Sequence, residues 1–77
     1  MIIQYHIMII NRIKVVLAEK NITNKYLANK LNKSEVTVSR WCTNEIQPSL
    51  ENLYHIAKLL RIDIRDLLHK TEFEDEE

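Results

Sequence analysis

The stretch that decides the fold is residues 23–43, which read TNKYLANKLNKSEVTVSRWCT. It contains two short segments with apolar residues at helical spacing, which predict helices at about 24–31 and 35–41. Thr23 and Ser34 immediately precede these segments, and both are residue types that cap helix N-termini. Only Asn32, Lys33 and Ser34 connect the two helices. So tight a connection between short helices predicts a steep crossing that presents the second helix outward.

Three further helices are predicted around this pair, at about 9–20, 50–60 and 64–69, the last two capped by Ser49 and Asp63. The chain has no Gly and one Pro, which disfavours a β fold with tight turns. We therefore predict an all-α fold of five helices. Its predicted inner faces are Ile9, Ile13, Val16 and Leu17; Leu27, Ala28 and Leu31; Val38 and Trp41; Leu50, Leu53, Ile56, Ala57 and Leu60; and Ile62, Ile64, Leu67 and Leu68.

With 77 residues, the chain is long enough for one small domain, which we place at 9–70. An N-terminal extension, 1–8, precedes it, and an acidic tail, 71–77, follows it. Two interpretations of residues 1–7 stay open: an extension before a true start at Met8, or an arm that pairs two subunits. The apolar opening is too short to span a bilayer, and the lone Cys42 indicates a reducing compartment. We expect a cytoplasmic protein without a membrane partner.

The formal net charge is zero, but the charges are unevenly distributed. Residues 12–40 hold seven Lys/Arg against two Asp/Glu, a balance of +5. Residues 41–77 hold four Lys/Arg against nine Asp/Glu, a balance of −5. Such asymmetry is typical of a chain with a nucleic-acid-binding face.

The predicted helix 35–41 has one inner and one outer face. At about 100° per residue, Val38 and Trp41 point to the core and Val36 lies nearly opposite them. An outward helix of this size fits the major groove of B-DNA. The side chains predicted to contact bases are Glu35, Val36, Thr37, Ser39 and Arg40. Arg40 suits guanine, Val36 a thymine methyl group and Glu35 the amino group of cytosine.

Contacts with the DNA backbone are predicted at the helix ends, where free N–H groups and the helix dipole favour anions. The polar and basic residues there, and on the loop after the outward helix, are Thr23, Asn24, Lys25, Lys33, Ser34, Thr43 and Asn44. Such contacts set position and affinity rather than sequence preference.

Other chemistries find little support in the sequence. Without Gly there is no phosphate-binding loop and no dinucleotide-binding fingerprint. His6, His55 and His69 lack the mutual spacing of metal ligands, and one Cys adds little to them. No serine has an assignable base and orienting acid. We therefore expect no enzymatic activity, no metal, no cofactor and no small-molecule ligand.

Residues 11–68 resemble the DNA-binding domain of Cro/CI-type repressors, the xenobiotic-response-element family of prokaryotic regulators. The segments that carry the resemblance are NRIK (11–14), NITNKYLANKL (21–31), SEVTVSRW (34–41), QPSLENLYHIAKLL (47–60) and IDIRDLL (62–68). The resemblance implies a compact five-helix bundle of the lambda-repressor-like type that works as a dimer on a palindromic operator. It implies phosphate contact at Asn24 and base contact at Glu35, Val36, Thr37 and Arg40; Ser39 rests on the helical wheel alone.

The chain departs from the family pattern in three respects. Asn32 and Asn44 stand where the family often has Gly, and Asn can adopt the same left-handed conformation. Leu17 and Cys42 stand where some members pair a buried Arg with an acid. Glu45 and Ile46 replace residues that are commonly basic, which predicts weaker affinity for the DNA backbone.

The function predicted from the sequence is a homodimeric transcriptional regulator, of repressor or controller type, that reads double-stranded operator DNA. The Ile/Leu residues of the fifth helix and the N-terminal Ile-rich arm are the predicted dimer contacts. The alternative is a protein-interaction module, such as an antitoxin or adaptor domain, which the Ile-rich arm and the acidic tail favour.

Overall fold

Residues 8–73 are described by the computed structural model of the chain. Four α-helices and one 3-10 helix follow one another in this range, and it contains no β-strand beyond a single bridge between Asn11 and Leu68. The elements are α1 (Ile13–Glu19), α2 (Asn24–Leu31), α3 (Glu35–Cys42), α4 (Leu50–Leu60) and the 3-10 helix (Ile64–Leu67). None of the helices in the described part is long and apolar enough to cross a membrane.

Side-chain caps begin α2, α3 and α4, as predicted. Thr23, Ser34 and Ser49 have extended backbones, and each side-chain oxygen accepts a hydrogen bond from the N–H three residues later. Each cap satisfies one of the N–H groups that a helix start leaves without a partner in the helix, which contributes about 1 kcal/mol. These three helix starts are therefore determined by local sequence.

Residues with a left-handed backbone conformation follow the ends of the α-helices. Asn21, Asn32 and Asn44 have φ values of 56°, 57° and 63°. Asn32 and Asn44 therefore adopt the left-handed conformation predicted for them, at positions where the resembled family often has Gly. Asn tolerates this conformation because its short polar side chain can bond locally. Arg61 also adopts it, with φ 58°, and the sequence did not single that residue out.

The core lies where the helices meet and is formed by the predicted apolar faces, with two exceptions. Its buried members are Ile13, Val16, Leu17, Leu27, Ala28, Val38, Trp41, Cys42, Leu53, Ile56, Ala57, Leu60 and Leu67. Leu50 was wrongly assigned to the core and is 74% exposed. It is the first residue of α4, and helical side chains tilt toward the N-terminus, which carries Leu50 past the edge of the bundle.

Ile9 is the second exception, because the first helix begins at Ile13 rather than at Ile9. The backbone of residues 10–12 pairs with 67–69: Arg12 N–H donates to the Leu67 carbonyl (2.8 Å) and His69 N–H donates to the Ile10 carbonyl (2.9 Å). These long-range bonds replace a helical turn and leave Ile9 exposed. The Asn11 Oδ1 then accepts the N–H of Ile13, the first residue of α1, at 3.1 Å.

The predicted fifth α-helix at 64–69 is instead a four-residue 3-10 helix, Ile64–Leu67. Its Asp63 cap is confirmed, since the carboxylate accepts the Arg65 N–H at 2.8 Å. The helix stops because Leu68 is extended (φ −124°, ψ 147°) and forms the bridge to Asn11. The all-helical fold is therefore confirmed, and the count of five α-helices is not.

Candidate nucleic-acid interface

The outer face of α3 is open to solvent, and its inner face anchors it to the bundle. Val38 and Trp41 are buried, whereas Val36 is 60% exposed. Glu35, Ser39 and Arg40 are exposed with it, and Thr37 is half-buried at the margin. The orientation of α3 predicted from its helical periodicity is therefore confirmed.

Ser34 and Thr37 form a closed pair at the start of α3. The Ser34 hydroxyl accepts the Thr37 N–H at 3.1 Å and donates to Thr37 Oγ1 at 2.9 Å. The Thr37 hydroxyl thus accepts one bond and still has its own hydrogen to donate. Its position is set before any ligand arrives, so it can act as an oriented donor.

Five of the predicted contact residues come together in one place. An open cleft of about 570 Å³ runs between the start of α2, the outer face of α3 and the loop after it. It is lined by Asn24, Glu35, Val36, Ser39, Arg40 and Glu45. Glu45 is the member that sequence reasoning did not nominate for DNA contact.

Asn24 is held in the cleft by the buried end of α3. Its Oδ1 accepts a hydrogen bond from the Cys42 thiol at 3.5 Å, which leaves its Nδ2 group as a donor. Burial raises the pKa of the Cys42 thiol, and the nearby charge of Lys14 offsets part of that effect. The thiol therefore stays protonated and remains a donor to Asn24 at neutral pH. Leu17 is also buried. Leu17 and Cys42 stand at the two positions where some members of the resembled family pair a buried Arg with an acid.

Arg40 and Glu45 form the ion pair of this surface. Arg40 Nε lies 3.9 Å from Glu45 Oε2, and both side chains are more than half exposed. Exposed pairs of this kind contribute little to stability, on the order of 0–1 kcal/mol. The guanidinium is therefore held near the carboxylate but is available to another ligand.

Of the predicted phosphate ligands, only Asn24 lines the cleft, and all but two of the seven are exposed. Thr23, Lys25, Lys33, Ser34 and Thr43 are the exposed ones. The Thr43 hydroxyl donates to the Arg40 carbonyl at 3.2 Å, so it can still accept a bond but is oriented along the helix end. Asn24 is half-buried, as described above, and Asn44 is buried.

Asn44 has a different role from the one predicted. It is 7% exposed, and its Oδ1 accepts the N–H groups of Ile10 and Asn11, both at 2.9 Å, and Gln47 Nε2 at 3.0 Å. Its Nδ2 donates to the Asn11 carbonyl at 3.1 Å. A side chain so engaged is not available to a phosphate. The phosphate contact predicted for the Asn44 side chain is therefore corrected to a structural role in the loop after α3.

Asn11 completes the network that fixes the end of α3. Its Nδ2 donates to the Trp41 carbonyl at 2.9 Å and to Gln47 Oε1 at 2.8 Å. The C-terminal end of α3 is thereby tied to the N-terminal segment and to the following loop. The sequence did not indicate this structural role for Asn11 or Gln47, because an isolated amide side chain carries no signal of its distant partner.

Within residues 8–73, no group of three His, Cys, Asp or Glu side chains is close enough to share a metal ion.

Comparisons with known proteins indicate a family of DNA-binding domains. The family model described as "Cro/C1-type HTH DNA-binding domain" matches residues 12–72. A crystal structure from Bacteroides fragilis, described as that of "a putative DNA-binding protein", is 56% identical and superimposes with a TM-score of 0.78. That match covers 80% of this chain and 100% of the other. No curated protein matches the chain.

Proposed function

Because this chain belongs to the Cro/C1-type helix-turn-helix DNA-binding domains, we propose that it is a transcriptional regulator that binds duplex DNA selectively through α3. The observation that carries the proposal is the pose of that helix. Val38 and Trp41 anchor it, while Val36 and Arg40 stand open on the other side. A helix presented in this way can enter the major groove, where each base pair shows a distinct pattern of donors and acceptors.

The proposed base contacts follow from the chemistry of the outer face. Arg40 donates two hydrogen bonds to guanine, and Val36 packs against a thymine methyl group. Glu35 accepts from a cytosine amino group, and Thr37 and Ser39 bond to base edges. Thr37 is the most constrained of these groups, since Ser34 already holds its hydroxyl.

The proposed backbone contacts flank the groove. The polar and basic groups are Thr23, Asn24, Lys25, Lys33, Ser34 and Thr43. The N-terminal ends of α2 and α3 add free N–H groups and the positive end of the helix dipole. Asn44 acts indirectly, by positioning the loop after α3.

We further propose a homodimer and a repressor type of action. Two copies of α3 would then enter successive major grooves about 34 Å apart. A groove between α4 and the 3-10 helix, lined in part by Tyr54, Ile62 and Ile64, supports a subunit contact there. The exposed Met8 and Ile9 support a second contact along the N-terminal segment. Residues 1–7 lie outside the described residues, so an arm formed by them stays a prediction. The limits 1–8, 9–70 and 71–77 also stay predictions.

The test is selection from a random-sequence duplex library, followed by fluorescence anisotropy on the enriched duplex. Arg40→Ala should weaken binding to that duplex by about 10- to 100-fold, as expected when a bidentate base contact is lost. Lys70→Ala is the control, because it removes one exposed positive charge outside the cleft. Enrichment of no sequence at low salt, or equal losses in the two variants, would contradict the proposal.

A second candidate function is a protein-interaction module, such as an antitoxin or adaptor domain. Exposed apolar side chains at Ile46, Leu50 and Tyr54 favour it, since they follow one another from the α3–α4 loop along α4. The same selection separates the two functions, because this alternative predicts no duplex binding even at low salt.

A further inference from the structure

We propose that Glu45 is a specificity-determining residue that restrains Arg40 from binding phosphate, an inference that rests on the proposed function. Glu45 lies in the same cleft as Arg40 and Val36, and its carboxylate is 3.9 Å from Arg40 Nε. No comparison assigns a role to this position, and its negative charge is unexpected on a surface that meets DNA.

The backbone holds Glu45 beside Arg40. The N–H groups of Glu45 and Ile46 both donate to the Arg40 carbonyl, at 3.0 and 3.4 Å. The left-handed Asn44 reverses the chain between Arg40 and Glu45, and its buried amide anchors that turn to Asn11. Glu45 therefore starts from a defined position next to the last turn of α3, so its carboxylate needs only a short reach to Arg40.

The contact engages one side of the guanidinium. A guanidinium has five N–H donors, and Glu45 approaches at Nε. The terminal amino groups can then turn to a ligand while the carboxylate remains near Nε. The two acceptors of guanine, O6 and N7, are uncharged, so a neighbouring carboxylate repels them little and helps to orient the donor pair.

A phosphate is a different ligand, because it carries a negative charge. Placing it against Arg40 brings that charge close to Glu45, and like charges at such distances repel. The same carboxylate therefore tolerates Arg40 on guanine and opposes Arg40 on phosphate. Because phosphate contacts supply essentially all non-specific affinity, Glu45 should widen the gap between selected and unselected DNA.

The experiment measures binding of Glu45→Gln to two duplexes, the one enriched by the wild-type protein and a shuffled duplex of the same composition. Affinity for the shuffled duplex should rise about threefold to tenfold, with a log–log salt slope steeper by about 0.9 as Arg40 gains a phosphate. Affinity for the enriched duplex should change less than about twofold, because a contact to a neutral base is little affected. Glu72→Gln is the matched control, since it removes the same charge from an exposed side chain outside the cleft.

A second pair of variants links the effect to Arg40. In an Arg40→Ala background, Glu45→Gln should change the ratio of the two affinities no more than Glu72→Gln does. Three outcomes overturn the role of Glu45 while leaving the proposed function intact. In the first, Glu45→Gln and Glu72→Gln change the affinities for both duplexes equally. In the second, Glu45→Gln no longer binds the enriched duplex. In the third, Glu45→Gln still raises the affinity for the shuffled duplex when Arg40 is replaced. If the wild type enriches no duplex, the proposed function fails first, and the role of Glu45 falls with it.

Discussion

The turns before and after α3 both contain a left-handed asparagine, but only the second asparagine forms side-chain hydrogen bonds with distant parts of the chain. Asn32 has φ 57° and is exposed, and its side chain makes no hydrogen bond within residues 8–73. Asn44 has φ 63° and is buried, and its amide bonds to Ile10, Asn11 and Gln47. The same residue type in the same backbone conformation therefore does two different things.

The difference shows how α3 is presented. The turn at Asn32 only redirects the chain, so the N-terminal end of α3 stays at the surface with the Ser34 cap exposed. The turn at Asn44 ties the C-terminal end to residues 10–11, and Asn11 also bonds to the Trp41 carbonyl. The C-terminal end of α3 is thus fixed by hydrogen bonds and its N-terminal end is exposed, as the proposed insertion into the major groove requires.

The largest effect should come from Asn44→Gly, which keeps the left-handed backbone but removes the amide. The N–H groups of Ile10 and Asn11 and the Asn11 carbonyl then lose their partner. We expect a loss of about 2–4 kcal/mol in the free energy of unfolding, since buried groups left unsatisfied cost about 1–3 kcal/mol each and water recovers part of this. Urea titration followed by circular dichroism measures it. A loss no larger than that of Asn32→Gly would erase the distinction between the two turns.

The next effect tests whether Asn11 and Asn44 act as one unit. Asn11→Ala removes the bonds to Trp41, Gln47 and Ile13 and should itself be destabilising. Combined with Asn44→Gly, the two losses should sum to about 1–2 kcal/mol more than the double variant shows, as expected for members of one network. The four unfolding free energies of the cycle give this value directly, and strict additivity would mean that the two amides act separately.

Ser34→Ala probes the exposed end of α3 and should have a smaller effect. It removes the bond to the Thr37 N–H and frees the Thr37 hydroxyl. We expect about 1 kcal/mol of lost stability, the usual contribution of an N-cap. Ser49→Ala is the matched control, because it removes the equivalent cap of α4. On the proposed function, only Ser34→Ala should also weaken binding to the enriched duplex.

The smallest effect is expected for Asn32→Gly. Glycine adopts φ 57° without steric cost, but it also has more freedom to lose on folding. These opposing terms should leave the stability within about 0.5 kcal/mol of the wild type. A clearly larger loss in the same urea titration would show that the Asn32 side chain has a structural partner.

Most of the helical pair could be predicted from sequence because its signals are local. The caps at Thr23 and Ser34, the left-handed Asn32 and the apolar spacing of Val38 and Trp41 lie within a few residues of what they determine. The exposed face of α3 follows from the same periodicity. These features also carry the resemblance to the Cro/C1-type family, which the comparison confirms over residues 12–72.

Two of the errors lie where distant segments compete with local preference. The apolar spacing at Ile9 predicted helix, but hydrogen bonds between residues 10–12 and 67–69 took that backbone instead. The same pairing shortened the fifth helix to Ile64–Leu67. No local pattern shows which of two competing sets of backbone bonds is formed.

By itself, the sequence determined where α2, α3 and α4 begin and which face of α3 is apolar, because capping and helical periodicity act over one turn. Tertiary structure alone decided that Asn44 is buried. Its burial depends on Asn11, more than thirty residues away in the chain. An amide reads the same in sequence whether water or a distant backbone satisfies it, and only the folded chain brings that backbone within bonding distance.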